Sequence, residues 1–305
     1  MAWSALDLTD RILEDMERHL RGIYNRAEKE LGKAWKEYMT EADKDVERLA
    51  KAYGEAKQSG DKDAIRRAGI EVSQAKQRRT IYNSHYQSLT QQLARDISRV
   101  NEVAADYING KLPEVYTINY NEVTRRVNKQ LKGRLRGYSF DLVDQNTIRR
   151  LSTTEENLLP LMEINGRKDV RWNVAKINSE VTQGILQGES MPNIAKRFSN
   201  VMSMDRASAI RNARTTVTSA QNKGRMDMMH EALDKGVIVK KGWSAARDKR
   251  VRDWHTDLDN GKFIDIDEPF HNEYGDIMYP GDPDAEPANV YNCRCSLIYK
   301  VVGFK

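Results

Sequence analysis

The two cysteines of the chain lie close together near its C-terminal end. Cys293 and Cys295 are separated by one arginine in the segment NVYNCRCSLIYKV, and they are the only cysteines in 305 residues. The segment is typical of a β-strand, in which residues two apart point to the same face. We therefore expect both thiols on one face and Arg294 on the other. A disulfide between them would close a very short, strained ring, so reduced thiols are expected.

Two thiolates on one face supply half of a tetrahedral zinc site. Histidine or aspartate side chains from upstream would have to supply the other half. His255 and His271 are two of only five histidines in the chain, and both precede the cysteines. A Cys-Cys-His-His or Cys-Cys-His-Asp site would tie the acidic loop around these histidines to the terminal strand.

The same residues allow two other interpretations. Reduced, half-buried cysteines can simply pack as small apolar side chains. A cysteine beside His255 or His271 could also act as a nucleophile, with Asp253 or Asp257 orienting the base, although no cysteine-protease signature accompanies them. The acids of DLDNGKFIDIDE lack the spacing of a calcium loop, and we expect residues 259–261 to form a tight turn. Nucleotide-binding glycine motifs are absent from the sequence.

The elements that must position these side chains lie after residue 236. VIVKKGWSA and SLIYKVV are rich in β-branched residues and predict two strands. Four of the seven prolines fall between them, at positions 269, 280, 283 and 287. A loop of this length in a small domain is usually functional or needs a cross-link to order it. We expect residues 236–305 to form a small α+β module with a long acidic, proline-rich loop.

The rest of the chain predicts helices. Apolar residues recur at steps of three and four over residues 5–56 and again over 65–108, separated by the turn-forming KQSGDKD. NGKLP, with Pro113, predicts the end of the second arm. The fold class is therefore mainly α, with a long N-terminal antiparallel helical hairpin (1–112) and a helical middle domain (113–235).

Charge and hydropathy exclude some function classes. No run of about 18 apolar residues could span a membrane, and the N-terminal residues do not resemble a secretory signal. Two cysteines give no disulfide framework, which favours a reducing compartment such as a cytoplasm. Residues 253–286 hold eleven acids and one lysine, which leaves 49 Lys and Arg against 34 Asp and Glu elsewhere. That basic remainder could contact nucleic acid or an acidic surface, or could solvate long helices.

Three segments resemble a known family. ARTTVTSAQNKGRMD, GWSAARDKRVRDWHTDLDNGKF and YPGDPDAEPANVYNCRCSLIYKV occur in this order over residues 213–302. They resemble the Mu F-like head morphogenesis proteins of tailed phages, also called minor head or minor capsid proteins. The most specific motif positions are Trp243, Asp248, Arg250, His255, Asp259, Gly261, Asn292, Cys293 and Cys295. Where the family usually has an acid after Ala-Arg-Thr, this chain has Thr216.

The resemblance implies a structural protein without turnover. Its metal-chelating positions would be His255, Cys293 and Cys295, with His271 or, as an alternative, Asp248 as a further ligand of a structural zinc ion. Implied partners are the phage portal and the major capsid or scaffold proteins, with non-specific contact to packaged double-stranded DNA. The implied location is the virion, at the capsid interior or the portal vertex. Some relatives carry a toxin-like enzymatic domain after this module, for which we expect no room before Lys305.

Overall fold

The structure is a computed structural model that describes residues 4–78, 84–131, 139–155, 157–246 and 248–304. The predicted mainly α fold class is confirmed, and none of the helices within these ranges is long and apolar enough to cross a membrane. The helices are α1 (Ala5–Ser59), α2 (Lys62–Arg78), α3 (Ser84–Leu131), α4 (Gln145–Leu151), α5 (Gly166–Leu186), α6 (Met191–Lys196), α7 (Phe198–Asp234), α8 (Asp253–Leu258) and α9 (Pro287–Val290).

The chain folds into two compact units. Unit 1 comprises Met1–His19, Ala105–Met162 and Ser208–Lys305, and unit 2 comprises Leu20–Ala104 and Glu163–Ala207. The three longest helices, α1, α3 and α7, contribute residues to both units. The division at residues 112 and 236 that the sequence suggests stays a prediction.

The predicted helical hairpin is confirmed. Gly60 adopts a left-handed conformation (φ 72°) between α1 and α2, and the Asp61 carboxylate caps α2 by accepting the N–H groups of residues 63 and 64. In unit 2, the ring centroids of Trp35 and Tyr86 lie 5.8 Å apart. In unit 1, Asn119 donates to the Thr9 hydroxyl at 2.8 Å. Early residues of α1 thus face late residues of α3. The join of the second arm at residues 79–83 lies outside the described residues.

The prediction that the second arm ends at NGKLP is wrong. Helix α3 continues through Pro113 to Leu131. The Asn109 amide does not cap a helix end. Instead it pairs with the main chain of Met162, through two 2.8 Å hydrogen bonds. Leu112 and Val115 are fully buried, so apolar packing outweighs the loss of one backbone donor at the proline.

A second helix boundary also differs from expectation. The sequence predicts one helix over MPNIAKRFSNVM and the next from Met204. The structure ends α6 at Lys196 and starts α7 at Phe198. Phe198, Val201 and Met202 are buried, so this apolar face belongs to the longer helix. Pro192 stands in the first turn of α6, where the missing N–H of proline costs no helix hydrogen bond.

The strands after residue 236 form two small antiparallel sheets. They are β1 (Val237–Ser244), β2 (Ile264–Asp265), β3 (Phe270–Asn272), β4 (Gly275–Ile277) and β5 (Ser296–Phe304). The first sheet has the order β2-β1-β5, with Trp243 opposite Leu297, and β3 pairs with β4. The two predicted strands are confirmed, but β5 starts at Ser296. The prediction that Cys293 and Cys295 lie within this strand is therefore wrong.

Candidate metal centre

Three potential metal ligands meet in the interior of unit 1. The Nδ1 atom of His255 lies 3.6 Å from Sγ of Cys293 and 3.6 Å from Sγ of Cys295. All three donor atoms lie within 4.8 Å of one another. Each side chain is at most 2% exposed. The site is therefore a closed cluster of two sulfur atoms and one imidazole nitrogen.

A turn, and not a strand pleat, brings the two thiols together. Asn292 adopts the left-handed conformation (φ 60°), which asparagine tolerates better than most residues. The N–H of Cys293 then donates to the Val290 carbonyl at 3.2 Å. The N–H of Cys295 donates to Sγ of Cys293 at 3.4 Å. This turn keeps the Cys293 sulfur beside Cys295, before β5 begins.

Aromatic packing fixes the histidine. His255 lies in the short helix α8, and its ring meets the ring of Trp243 edge-on, with centroids 5.1 Å apart. The ring of Trp254 lies 6.2 Å away, also edge-on. Nε2 of His255 is buried and has no hydrogen-bond partner among the described residues. The orientation of the imidazole thus depends on the two tryptophans, with Nδ1 directed at the sulfur atoms.

One face of α7 binds the backbone that carries the cysteines. The Thr218 hydroxyl donates to the Cys293 carbonyl at 2.8 Å. Asn222 accepts the N–H of Leu297 at 2.7 Å and donates to the Cys295 carbonyl at 3.2 Å and the Pro280 carbonyl at 2.9 Å. These are main-chain groups that would otherwise be buried without partners. The helix therefore acts as a template for the segment around the site.

The face of α7 that binds this backbone extends one turn further in each direction. Thr215 accepts the N–H of Asn292 at 2.8 Å, and Arg225 donates to the Leu297 carbonyl at 2.8 Å. Sequence reasoning did not identify these residues as part of the site. Their spacing is the available signal, because positions 215, 218, 222 and 225 form one polar stripe at helical intervals.

The electrostatics of the cluster favour one thiolate. The hydrogen bond from Cys293, reinforced by His255, lowers the pKa of Cys295 to about 5. The hydrogen bond with Cys295 and burial raise the pKa of Cys293 well above its usual value. Because the thiolate is the form that binds metals and attacks electrophiles, the lowered pKa of Cys295 favours both kinds of chemistry at this cluster.

Two candidate ligands lie outside the cluster. His271, on β3, is exposed and pairs with Asp276 at 2.6 Å. Asp248 binds the Arg294 guanidinium, with one contact at 2.7 Å, and accepts the N–H of Arg250 at 2.8 Å. The structure therefore brings together three of the five residues that the sequence proposed. No further His, Cys, Asp or Glu of the described ranges joins them.

The other motif positions shape the chain around the cluster. Asp259 accepts the N–H of Ala245 at 3.2 Å, which ties the end of α8 to the end of β1. Gly261 has φ 73°, a conformation that favours glycine, as expected of the turn at 259–261. Arg250 is exposed, and its guanidinium lies 3.8 Å from Asp248. None of these three residues contributes a donor to the cluster.

The distances between the imidazole nitrogen and the two sulfur atoms match those expected around a tetrahedral metal ion. Tetrahedral bonds of ~2.3 Å to sulfur and ~2.0 Å to nitrogen place those ligand atoms about 3.5 Å apart. The two observed S–N distances are 3.6 Å. The cluster could therefore hold a metal ion with three protein ligands.

The C-terminal part of the chain is similar in sequence to a known protein family. Residues 175–298 match the family described as Phage Mu protein F like protein. This match confirms the resemblance predicted from the sequence and extends it towards the N-terminus. Residues 175–298 are thus similar in sequence to this family.

Two relatives place the module in different contexts. The minor head protein GP7 of Bacillus phage SPP1 is 28% identical over 297 residues, which cover 95% of this chain and 87% of that protein. The NAD(+)--arginine ADP-ribosyltransferase EFV of Enterococcus faecalis (strain ATCC 700802 / V583) is 30% identical over 131 residues, which cover 42% of this chain and 26% of that protein. No solved structure matches the chain significantly.

Proposed function

We propose that this chain is a structural minor head protein of a tailed bacteriophage, acting in head morphogenesis and in DNA packaging or delivery. The similarity to minor head protein GP7, which spans 95% of this chain, is the observation that carries the proposal. The long helices α1 and α3 suit a protein that contacts neighbours over a distance. The protein is made in the host cytoplasm and kept in the virion, at the capsid interior or the portal vertex.

The partners that fit this function are the portal protein and the major capsid or scaffold proteins. Outside residues 253–286 the chain carries 49 Lys and Arg against 34 Asp and Glu, which suits non-specific contact with packaged double-stranded DNA. Such contact reads no sequence, so its affinity should fall steeply with salt.

Particle assembly tests the function directly. The chain would be co-expressed with the portal and major capsid proteins of its own phage, and purified procapsids would be analysed by quantitative mass spectrometry. We expect a few copies per particle, retained through density-gradient centrifugation. Absence from portal-containing procapsids would overturn the structural proposal. Omitting the portal protein tests the partner, because retention in portal-free particles would assign the contact to the capsid or scaffold.

The cluster of His255, Cys293 and Cys295 is proposed to hold a structural zinc ion. Bound there, zinc would link α8 to the turn before β5 and so close the acidic loop between them. Three protein donors leave one position of a tetrahedral site for a water molecule or another ligand. The near-complete burial of all three side chains favours a structural role over a solvent-open catalytic one.

Metal analysis of the purified chain tests the zinc proposal. We expect about one zinc ion per chain by mass spectrometry of the metal content, and a loss of at least about tenfold in Cys293→Ser, Cys295→Ser and His255→Gln. His271→Gln is the matched control, because that imidazole is exposed and outside the cluster; it should keep its zinc. Unchanged zinc in Cys295→Ser would refute the site.

A thiol enzyme is the second candidate function. The 3.6 Å contact between Cys295 and His255 and the lowered pKa of that thiol favour it. A metal-free chain with one rapidly alkylated thiol would support a nucleophile with His255 as base. The matched region covers 26% of the ADP-ribosyltransferase, so we expect this chain to leave NAD⁺ intact. NAD⁺ consumption by the wild type that Cys295→Ser abolishes would favour the enzyme.

A further inference from the structure

A groove of about 260 Å³ opens on the surface of unit 1, on the side of the loop that precedes the cysteines. Its walls include Leu161, Ser219 of α7, the loop residues Pro283, Ala285 and Pro287, and Tyr291. The volume is slightly below the range of about 300–1,000 Å³ typical of small-molecule pockets. It therefore suits one or two side chains of a protein partner better than a whole cofactor.

Ser219 supplies a polar anchor that the fold itself does not use. Its hydroxyl is buried and has no hydrogen-bond partner among the described residues, and the residue is 3% exposed. Two neighbouring hydroxyls on this helix, those of Thr215 and Thr216, donate to carbonyls of the preceding turn at 3.0 Å. Because buried polar groups are almost always paired, the unpaired Ser219 hydroxyl points to a ligand that pairs with it.

The apolar part of the groove is already formed and accessible. Leu161 is 49% exposed and Tyr291 is 61% exposed, although both are large apolar side chains. Pro283 and Pro287 stiffen the opposite wall, since proline fixes its φ angle. The buried carboxylate of Asp282 orders this wall by accepting the N–H groups of Met278 and Asp284 at 3.0 and 3.1 Å. A partner would thus pay little ordering entropy in the groove.

The side of the groove formed by residues 283–287 is acidic. Asp284 and Glu286 alternate with the wall residues Pro283, Ala285 and Pro287, and both acids are exposed. They belong to residues 253–286, which hold eleven acids and one lysine. Complementary charge steers partners and selects among them, so this side of the groove favours a cationic segment and disfavours an acidic one.

We propose that this groove binds a short segment of a protein partner that places an aliphatic or aromatic side chain in the groove and Lys or Arg beside it. The apolar side chain packs between Leu161, Tyr291 and the prolines. A main-chain group of the segment pairs with the Ser219 hydroxyl, and the basic residues face Asp284 and Glu286. The proposal does not depend on the phage-head function, because it is argued from the groove alone.

Peptide binding to the full chain tests this proposal. The probes are short fluorescent peptides with Leu, Met, Phe or Trp at the centre and Lys on both sides, and matched peptides with Glu replacing Lys. Fluorescence anisotropy should show binding of at least one Lys-flanked peptide, at least about tenfold tighter than its Glu-flanked match. Ala285→Trp, which fills the groove, should weaken binding at least tenfold, and Ser219→Ala roughly fivefold.

Charge and fold are controlled separately. Asp284→Lys with Glu286→Lys should weaken binding about tenfold and flatten its salt dependence. Glu273→Lys makes the same kind of change at an exposed acid outside the groove and should bind like the wild type. Leu161→Ala with Tyr291→Ala removes only exposed apolar groups, so it tests the groove even if Ala285→Trp fails to fold.

Three results would overturn the proposal. They are the absence of binding by every Lys-flanked peptide, equal binding of the Glu-flanked set, and unchanged binding by the folded groove variants. Light scattering identifies another occupant: a dimer of the wild type that Ala285→Trp converts to a monomer would assign the groove to a second copy of this chain and refute a basic partner.

Discussion

Near the cysteines of unit 1, buried polar side chains bind a different kind of group from those in the interior of unit 2. In unit 1, Thr218, Asn222 and Arg225 of α7 bind main-chain groups of residues 280–297. Of their five hydrogen bonds to that segment, three bind carbonyls that precede β5 and two bind the main chain of Leu297 in β5. Removing one of these side chains leaves main-chain groups of the segment without their partner.

In unit 2, the buried polar side chains bind one another. Asn101 accepts from the Tyr24 hydroxyl at 2.6 Å and donates to Asp169 at 2.9 Å. Lys176 donates to Asp205 at 2.6 Å. All these residues lie in helices whose backbone groups are already paired within the helix. The network therefore determines how the helices pack against one another. It does not bind the main chain of another segment.

The difference shows where a functional site can be held. A side-chain network can be exchanged for apolar packing of the same volume. A template that binds main-chain groups cannot, because those groups stay polar whatever side chains surround them. The metal-ligand cluster lies on the template of unit 1, beside Asn222 and Thr218.

The largest expected effect is that of Asn222→Leu. It leaves the Leu297 N–H and the carbonyls of Pro280 and Cys295 without their partner. With one to three kcal/mol for each buried unpaired group, we expect the free energy of unfolding to fall by about 4 kcal/mol. Urea denaturation measures this loss, and faster alkylation of Cys295 should report the loosened site. Lys223→Ala, one residue away on a partly exposed side, should leave both quantities near wild type.

A smaller loss is expected from Lys176→Met in unit 2. It leaves the nearly buried Asp205 carboxylate without its cation, which should lower the free energy of unfolding by about 3 kcal/mol. Adding Asp205→Leu should restore most of that loss, since an apolar pair replaces an ion pair. Alkylation of Cys295 should not change in either variant. If the double variant is as unstable as the single one, the network of unit 2 is not exchangeable and the contrast with unit 1 fails.

The spacing of residue types along the chain predicted the helices and strands better than it predicted the candidate site. The heptad-like spacing in α1 and the strands at 237–244 and 296–304 follow local rules, and so does the turn at Gly60. Pro113 gave a wrong helix end. The backbone hydrogen bond that it removes is a local effect visible in the sequence, whereas the packing of Leu112 and Val115 depends on the rest of the fold. The sequence predicted His255 beside the cysteines without an exact strand register, because the chain has few histidines that could act as ligands. The turn at Asn292 could not be read from a strand-like sequence.

Two buried glycines extend the comparison at a smaller scale. A Cβ at Gly224 in unit 1 would lie 2.6 Å from the backbone oxygen of Tyr116, whereas one at Gly184 in unit 2 would lie 2.7 Å from a side-chain carbon of Ile194. The Tyr116 backbone cannot move away from the added Cβ, whereas the Ile194 side chain can rotate away from it. We expect Gly224→Ala to cost about 2 kcal/mol of unfolding free energy, and Gly184→Ala under about 1 kcal/mol because helix propensity offsets the strain. Equal losses in thermal or urea unfolding would contradict this explanation.

The smallest effects concern two aspartates whose pKa values shift in opposite directions. Arg294, with the Arg250 N–H, holds the pKa of Asp248 in unit 1 well below its ordinary value of 3.8. The stability contributed by this carboxylate is present above pH 3.8 and is lost as the pH falls through the folded-state pKa. Asp248→Asn should therefore be slightly less stable than wild type near neutral pH, and this difference should shrink in acid.

Asp205 in unit 2 has the opposite sign. Burial raises its pKa above 3.8 despite the ion pair with Lys176, so its contribution is fully present below that pH and is lost as the pH rises through the folded-state pKa. The stability of wild type relative to Asp205→Asn should therefore fall with rising pH. The stability of wild type relative to Asp248→Asn should rise over the same pH range. Urea denaturation from pH 3 to 7 measures both slopes. Slopes of the same sign would mean that the Lys176 ion pair outweighs the burial of Asp205, and that the interior of unit 2 supports a charge as well as the surface of unit 1 does.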